Sequence, residues 1–171
     1  MTVSVSRYRR DFVRNPVVGW ECSGREAAMR RFVDVAWEEF GGEGSGRGVS
    51  WIGFYGKGPG EDLILLERRD KPACSPIGLH GMCGRSWLSR RVVIVDDVRT
   101  LGEGYIACDP RDLSELVIPL FEPDGTCWGV LDVDSYATGA FGPDDAAGFG
   151  GWLKALGLTR EAPDVSSMLR L

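Results

Sequence analysis

Histidine is nearly absent from this sequence: His80 is the only one among 171 residues. A hydrolase of the Cys–His type would need it as a base, and nothing around it, three positions before Cys83, marks it as one. No Cys-x-x-Cys pair occurs, so the spacing of a structural zinc site is missing, and a zinc set built from His80, Cys74, Cys83 and Cys108 is disfavoured. No apolar run approaches the roughly 20 residues that a membrane-spanning helix needs. Basic residues do not predominate, and the net charge of −5 argues against a nucleic-acid partner. The glycine-rich run from Gly41 to Gly48 lacks a Gly-Lys-Ser/Thr ending, so it reads as a connector rather than a phosphate cradle. Met1 to Arg14 is charged and has no apolar signal core, and no internal repeat is visible. The expected location is therefore the cytoplasm, where thiols stay reduced. Five cysteines in that compartment read as packing or catalytic residues rather than a disulfide framework.

What is present supports one domain with a core of its own. Residues 1 to 22 show no clean period and are expected to form an arm with a short helix. Ser23-Gly-Arg-Glu26 matches a capping box, and Ala28, Met29, Phe32, Val33, Ala36, Trp37 and Phe40 follow at helical spacing until Gly41-Gly42. Val49 to Tyr55 and Leu63 to Glu67 read as a hairpin. Residues 70 to 82 read as loop, Cys83 to Arg90 as a short helix and Val92 to Val95 as a buried strand. Asp96 to Leu113 is a long polar loop, a kind of segment that is usually functional. Glu115 to Leu120 and Cys127 to Asp134 are strands around a Pro123-Asp-Gly125 turn, and Gly142-Pro-Asp-Asp145 opens a last helix. Gly148, Gly150 and Gly151 weaken that helix by roughly 1 kcal/mol each, so packing must hold it.

This order predicts an α+β fold: an antiparallel sheet with helices on one face and loops on the other. Strand alternation then sorts the residues. Ile52, Phe54, Leu116, Ile118, Leu131 and Val133 should face the helices. Trp51, Tyr55, Glu115, Asp132 and Asp134 should face the loops that carry Cys74, Cys83 and Cys108. The same alternation puts Trp128 and Val130 with the acids, and Cys127 and Gly129 opposite. An aromatic wall and an acidic floor on one sheet face describe a small-molecule site. A lone cysteine is more often a small core residue, and Cys22 and Cys127 read that way.

Trp51-Ile-Gly-Phe-Tyr55, Pro72-Ala-Cys74, Cys83-Gly84, Ile106-Ala-Cys108-Asp109, Ser114-Glu115 and Gly129-Val-Leu-Asp132-Val-Asp134-Ser135 resemble the free methionine-(R)-sulfoxide reductases. The resemblance covers about residues 25 to 157, which leaves an N-terminal arm (1–24) and a C-terminal tail (158–171) outside it. It implies the GAF fold, with a loop-covered pocket on one sheet face. It implies Cys108 as nucleophile, Cys74 as resolving thiol and Cys83 as an auxiliary thiol, with Cys83 as the alternative resolver. Glu115, Asp132 and Asp134 would bind substrate or assist proton transfer, and Trp51 and Tyr55 would enclose the methylthio end. No cofactor and no metal are implied. The implied partners are free methionine-(R)-sulfoxide and thioredoxin, with a second copy of the chain as a further candidate; nucleic acid and membrane are not among them. Tyr105 stands where the family usually has histidine, and Arg85-Ser86-Trp87 where small residues are commoner, which points to a tighter pocket rim. The rival reading is a non-catalytic GAF module that binds a small ligand or senses redox state; sensors are usually joined to an output domain, for which this chain is short.

The chemistry implied has definite needs. A thiolate must attack the sulfoxide sulfur, and an acid must protonate the oxygen. Glu115, with two further acids nearby, suits the second role, because like charges raise one pKa. The sulfenic acid left on Cys108 would condense with a second thiol, and a dithiol would reset the disulfide. Asp132 and Asp134 lie two apart on one strand face, an arrangement costly without a cation. A free amino acid brings an α-ammonium group, and a peptide-bound residue does not.

Overall fold

The computed structural model describes residues 7–14, 16–42, 48–103, 105 and 107–171. Residues 43–47 of the glycine-rich run and Ile106 of the cysteine motif lie outside the described residues. Ala28, Met29, Phe32, Val33, Ala36 and Phe40 form the buried stripe of helix α1 (Arg25–Phe40). The start of α1 corrects the capping expectation. Gly24, at φ 106°, takes the N-cap, no side chain caps the first turn, and Glu26 instead accepts from Arg30 at 2.8 Å. Ser23 falls one position outside, because the glycine adopts a left-handed backbone that other residues avoid.

Seven strands follow among the described residues: β1 (Trp51–Lys57), β2 (Asp62–Arg69), β3 (Ile77–Gly78), β4 (Val93–Val95), β5 (Ser114–Phe121), β6 (Cys127–Ser135) and β7 (Leu169–Arg170). They form one sheet in the order β3-β2-β1-β6-β5-β4-β7. All pairs are antiparallel except β4 with β7. Helices α2 (Met82–Ser89) and α3 (Pro143–Ala155) complete the α+β fold. Ile52, Phe54, Leu116, Ile118, Leu131 and Val133 pack with α1 and α3 on one face. Trp51, Tyr55, Val117 and Val130 pack on the other with Leu63, Cys83 and Val95. The short helix α2 joins the loops on this second face, where it delivers Cys83.

Alternation fails at the start of β6. Leu120 pairs with Gly129 but Phe121 pairs with Cys127, so Trp128 is an extra residue in a bulge. Trp128 therefore packs with the helix-side core, its ring lies 4.3 Å from the Arg25 guanidinium, and its indole N–H donates to the Leu158 carbonyl at 3.0 Å. Cys127 turns the other way, beside Trp87 and Leu88 of α2. Both side chains lie opposite to the expectation from the sequence.

The arm and the tail are tied to the domain. Arg10 forms a buried ion pair with Asp145 at 2.8 Å, while Asp145 also accepts from the Gly142 N–H at 2.8 Å and so caps α3. Phe12 nests against Phe40, Phe149 and Trp152, with its ring where a Cβ on Gly148 would stand. The glycine that weakens α3 is what lets the arm approach it. Among the described residues of the arm the expected short helix is not found; they make turns and bends. In the tail, Leu169 N–H donates to Val92 and Leu171 N–H to Ile94, at 2.8 and 2.9 Å, which adds β7 to the sheet edge.

Candidate active site

The floor of the site is set by register. Glu115 lies opposite Asp134, and Asp134 opposite Trp51; Asp132 lies opposite Gly53 on one side and Val117 on the other. Gly53 has no side chain because the Trp51 ring occupies the place of its Cβ. Trp51, Tyr55, Glu115, Asp132 and Asp134 thus line one cavity of about 360 Å³, together with Cys74, Cys83 and Cys108. Every site residue named from the sequence is in this lining.

The two aromatics also act as struts. The Trp51 indole N–H donates to the Lys71 carbonyl at 2.9 Å, and the Tyr55 hydroxyl donates to the Cys74 carbonyl at 2.9 Å. They hold the 71–74 loop over the sheet. From there Cys74 reaches Cys108: the two are joined by a disulfide with Cα atoms 5.8 Å apart, and the Cys74 N–H points at Cys108 Sγ at 3.4 Å. Both cysteines are exposed. A second tie runs beside them. The Lys71 ammonium donates to Asp109 and to the Tyr136 hydroxyl, and Tyr136 in turn donates to Asp109 at 2.9 Å. Arg111 pairs with the same carboxylate at 3.0 Å. Bonds from Arg111 and Lys71 hold the Asp109 carboxyl well below the usual carboxylate range, against a smaller burial effect.

Cys83 differs from the other two cysteines in being a free thiol. It is buried on α2, and its Sγ donates to Asp132 Oδ2 at 3.3 Å. Burial, then the Asp132 charge, pushes its pKa well above the ordinary thiol value, so it stays protonated and is a poor nucleophile. The acids below it are also displaced. Burial, with Asp132 next, drives Glu115 well above its usual range, and burial then Asp132 does the same to Asp134. Burial raises Asp132 to about 7. Glu115 and Asp132 are 5% and 8% exposed, so an ionised pair there lacks the solvation it would have in water. Burial thus favours the protonated form of the floor in the empty cavity, and a cation entering it favours the ionised form.

Several residues here were not legible as site members. Asp112 lines the cavity and accepts from the Ser50 hydroxyl at 2.7 Å, and Lys71 and Tyr136 form the tie described above. Lys71 directly precedes the Pro72-Ala-Cys74 motif, which was the available signal; Asp112 and Tyr136 gave none. Tyr105 lines the cavity, and its hydroxyl donates a hydrogen bond to Glu115 Oε2 at 3.1 Å. Arg85, Ser86 and Trp87 are absent from the lining: Ser86 donates inward to the Arg91 carbonyl at 2.8 Å and Trp87 faces a different recess. The tighter rim expected from that tripeptide is not formed by it. The zinc set of His80, Cys74, Cys83 and Cys108 is ruled out in this state, since two of its sulfurs are bonded to each other.

This combination of fold and pocket has known counterparts. No family model matches the chain. Among curated proteins, a free methionine-R-sulfoxide reductase of Saccharomyces cerevisiae is 38% identical over 89 residues, 50% of this chain and 49% of that protein. The chain spans about half the length of the first curated relatives it matches. Among solved structures, the free methionine-R-sulfoxide reductase of Neisseria meningitidis in complex with its substrate superposes with a TM-score of 0.67 at 34% identity, covering 77% of this chain and 74% of that one. The chain belongs to the free methionine-R-sulfoxide reductase family. A GAF domain structure at 28% identity and a TM-score of 0.66 covers 75% of this chain and 72% of that one, so the reductase-family fold found here is the GAF fold. The pocket of this family member is open at the Cys74–Cys108 end and closed below by its acids. Among the described residues no helix is long and apolar enough to cross a membrane.

Proposed function

We propose that this chain reduces free methionine-(R)-sulfoxide to methionine and water, with Cys108 as nucleophile and Cys74 as resolving thiol. The observation that carries the reading is the Cys74–Cys108 pair at the mouth of a cavity whose floor is Glu115, Asp132 and Asp134. In the first step the Cys108 thiolate attacks the sulfoxide sulfur while a floor acid, Glu115 for preference, protonates the oxygen. The protonated oxygen then passes from the methionine sulfur to the Cys108 sulfur, one S–O bond breaking as the other forms, so that methionine leaves and Cys108 becomes a sulfenic acid. The Cys74 thiol then displaces that oxygen as water and closes the disulfide. A dithiol of the thioredoxin class opens it by exchange, taking the two oxidising equivalents away. The exposure of both sulfurs supports attack by an external protein thiol. Burial and a raised pKa make Cys83 a weaker candidate for the resolving role than Cys74.

Substrate choice follows from charge. The raised acids favour a ligand that carries a cation, and an α-ammonium group on a free amino acid supplies one. Trp51 and Tyr55 form the wall for the methylthio end. A reducing compartment, the cytoplasm, suits a thiol cycle. The test is loss of free methionine-(R)-sulfoxide with thioredoxin as reductant, beside the (S) epimer and a peptide-bound form. Turnover of the free (R) compound alone is expected; equal reduction of the peptide-bound form would overturn the reading.

A further inference from the structure

We propose that Cys83, Glu115 and Asp132 form a three-ligand site for a borderline-soft divalent cation, zinc in particular, and that zinc held there excludes the substrate's α-ammonium group. One ligand atom from each residue, a thiol sulfur and two carboxylate oxygens, lies within 4.8 Å of the others, and all three residues are buried. Cys83 Sγ and Asp132 Oδ2 are 3.3 Å apart, close to the separation of two ligands on one tetrahedral zinc, given Zn–S of about 2.3 Å and Zn–O of about 2.0 Å.

A second observation points to a missing ligand. Asp132 is 8% exposed, and apart from the neighbouring Glu115 carboxyl its Oδ1 has no hydrogen-bond partner. A buried carboxylate oxygen without a partner is costly, and a cation in the cavity removes the cost. The protein does not supply that cation itself. Lys71 is the only lysine or arginine among the described lining residues, and its ammonium is already taken by Asp109 and Tyr136. The donor set also selects the metal. A thiolate with two carboxylates suits zinc, whereas magnesium and calcium prefer all-oxygen shells. Three protein ligands leave a fourth position for water on the cavity side. Binding exchanges the Cys83 thiol proton, and any proton shared by the two carboxyls, for the metal. No electron moves.

The exclusion of substrate rests on the reductase reading, whereas metal binding does not. The test uses the full chain with Cys74 and Cys108 oxidised, so that Cys83 is the one free thiol in the cavity. Zinc is titrated by calorimetry, and cobalt(II) serves as a coloured stand-in. One metal per chain is expected, with a near-ultraviolet thiolate-to-cobalt band. Cys83→Ser should abolish the band, and Asp132→Asn should keep it while weakening zinc by more than the ~10–100-fold typical of losing a group that only supports a ligand. Cys22→Ser and Cys127→Ser should change neither readout. If Cys83→Ser does not fold, Glu115→Gln provides the independent ligand deletion. Magnesium should not compete. A cobalt band that survives Cys83→Ser, or no band in the wild type, overturns the site. Methionine sulfoxide binding to the oxidised protein should weaken as zinc is added; unchanged affinity at saturating zinc overturns the exclusion. Turnover with thioredoxin is measured separately without metal. Its absence would remove the reductase reading and leave the zinc site standing.

Discussion

The Tyr55 hydroxyl donates to the Cys74 carbonyl at 2.9 Å, so a side chain from the sheet's pocket face fixes the backbone of the loop that carries Cys74. Trp51 does the same for Lys71, three residues earlier. The wall of the pocket and the placement of the Cys74 sulfur are therefore one piece of structure. Tyr55→Phe keeps the wall and removes the strut. One neutral hydrogen bond contributes roughly 1 kcal/mol, so disulfide closure should slow about fivefold. Methionine release in a single turnover should change little. Rapid-quench thiol counting separates the two steps, and a closure rate equal to wild type would remove the strut from the argument.

The two thiols should divide the reaction. Cys108→Ser should abolish methionine release, since a hydroxyl is a poor nucleophile toward sulfoxide sulfur. Cys74→Ser should release about one methionine per chain and then stall at the sulfenic acid. Peptide mapping of oxidised wild-type protein should recover Cys74 joined to Cys108. A dominant Cys83–Cys108 bridge would reverse the roles of Cys74 and Cys83.

Where a period governs, the sequence was readable. Alternation along β1, β5 and β6 put Trp51, Tyr55, Glu115, Asp132 and Asp134 on one face, and the register bears that out. It failed at Trp128, where a bulge adds a residue and nothing local announces it. Local capping logic failed at Ser23 because Gly24 offered the chain another way into α1. Contacts between distant segments were not legible at all. Arg10 meets Asp145 across 135 positions, and Phe12 fills the space left by Gly148. The same limit hid the Lys71–Asp109–Tyr136 tie, whose members come from three separate loops or strand ends. Cys83, Glu115 and Asp132 converge only in the fold, so no sequence spacing marks them as a ligand set.

The floor acids make the empty protein sensitive to pH. An unfolded chain loses the Asp132 proton near 3.8, while burial lets the folded chain keep it to about 7. Between those values the folded state binds the extra proton, so stability falls as pH rises through the window. The shift corresponds to at most ~4 kcal/mol. Asp134 and Glu115 are displaced in the same direction, and Asp109 in the opposite one. Thermal unfolding without substrate should show a falling midpoint across this range. Asp132→Asn should flatten the fall and raise the midpoint at neutral pH. A wild-type midpoint that climbs steadily from pH 4 to pH 7 would contradict the sign.

The last prediction separates binding from chemistry on the floor. Asp134 stands between Trp51 and Glu115 across the strands, at the side of the cavity, while Glu115 is buried deeper and takes a hydrogen bond from Tyr105. If the aspartates hold the α-ammonium and Glu115 protonates the leaving oxygen, the two kinds of substitution must differ. Asp134→Asn should mainly raise KM, by roughly 1–3 kcal/mol for one charge-assisted contact. Glu115→Gln should instead lower kcat, by about 10²–10⁴ for loss of a general acid. Tyr105→Phe should fall between them, since it removes only the bond to that acid. N-acetylated methionine sulfoxide has no α-ammonium and should be a poor substrate for the wild type. Asp134→Asn should then discriminate less between free and acetylated compounds, because the charge that distinguishes them has lost its partner. Equal reduction of both compounds by the wild type would mean that the acids are not an ammonium site, even with the thiol cycle intact.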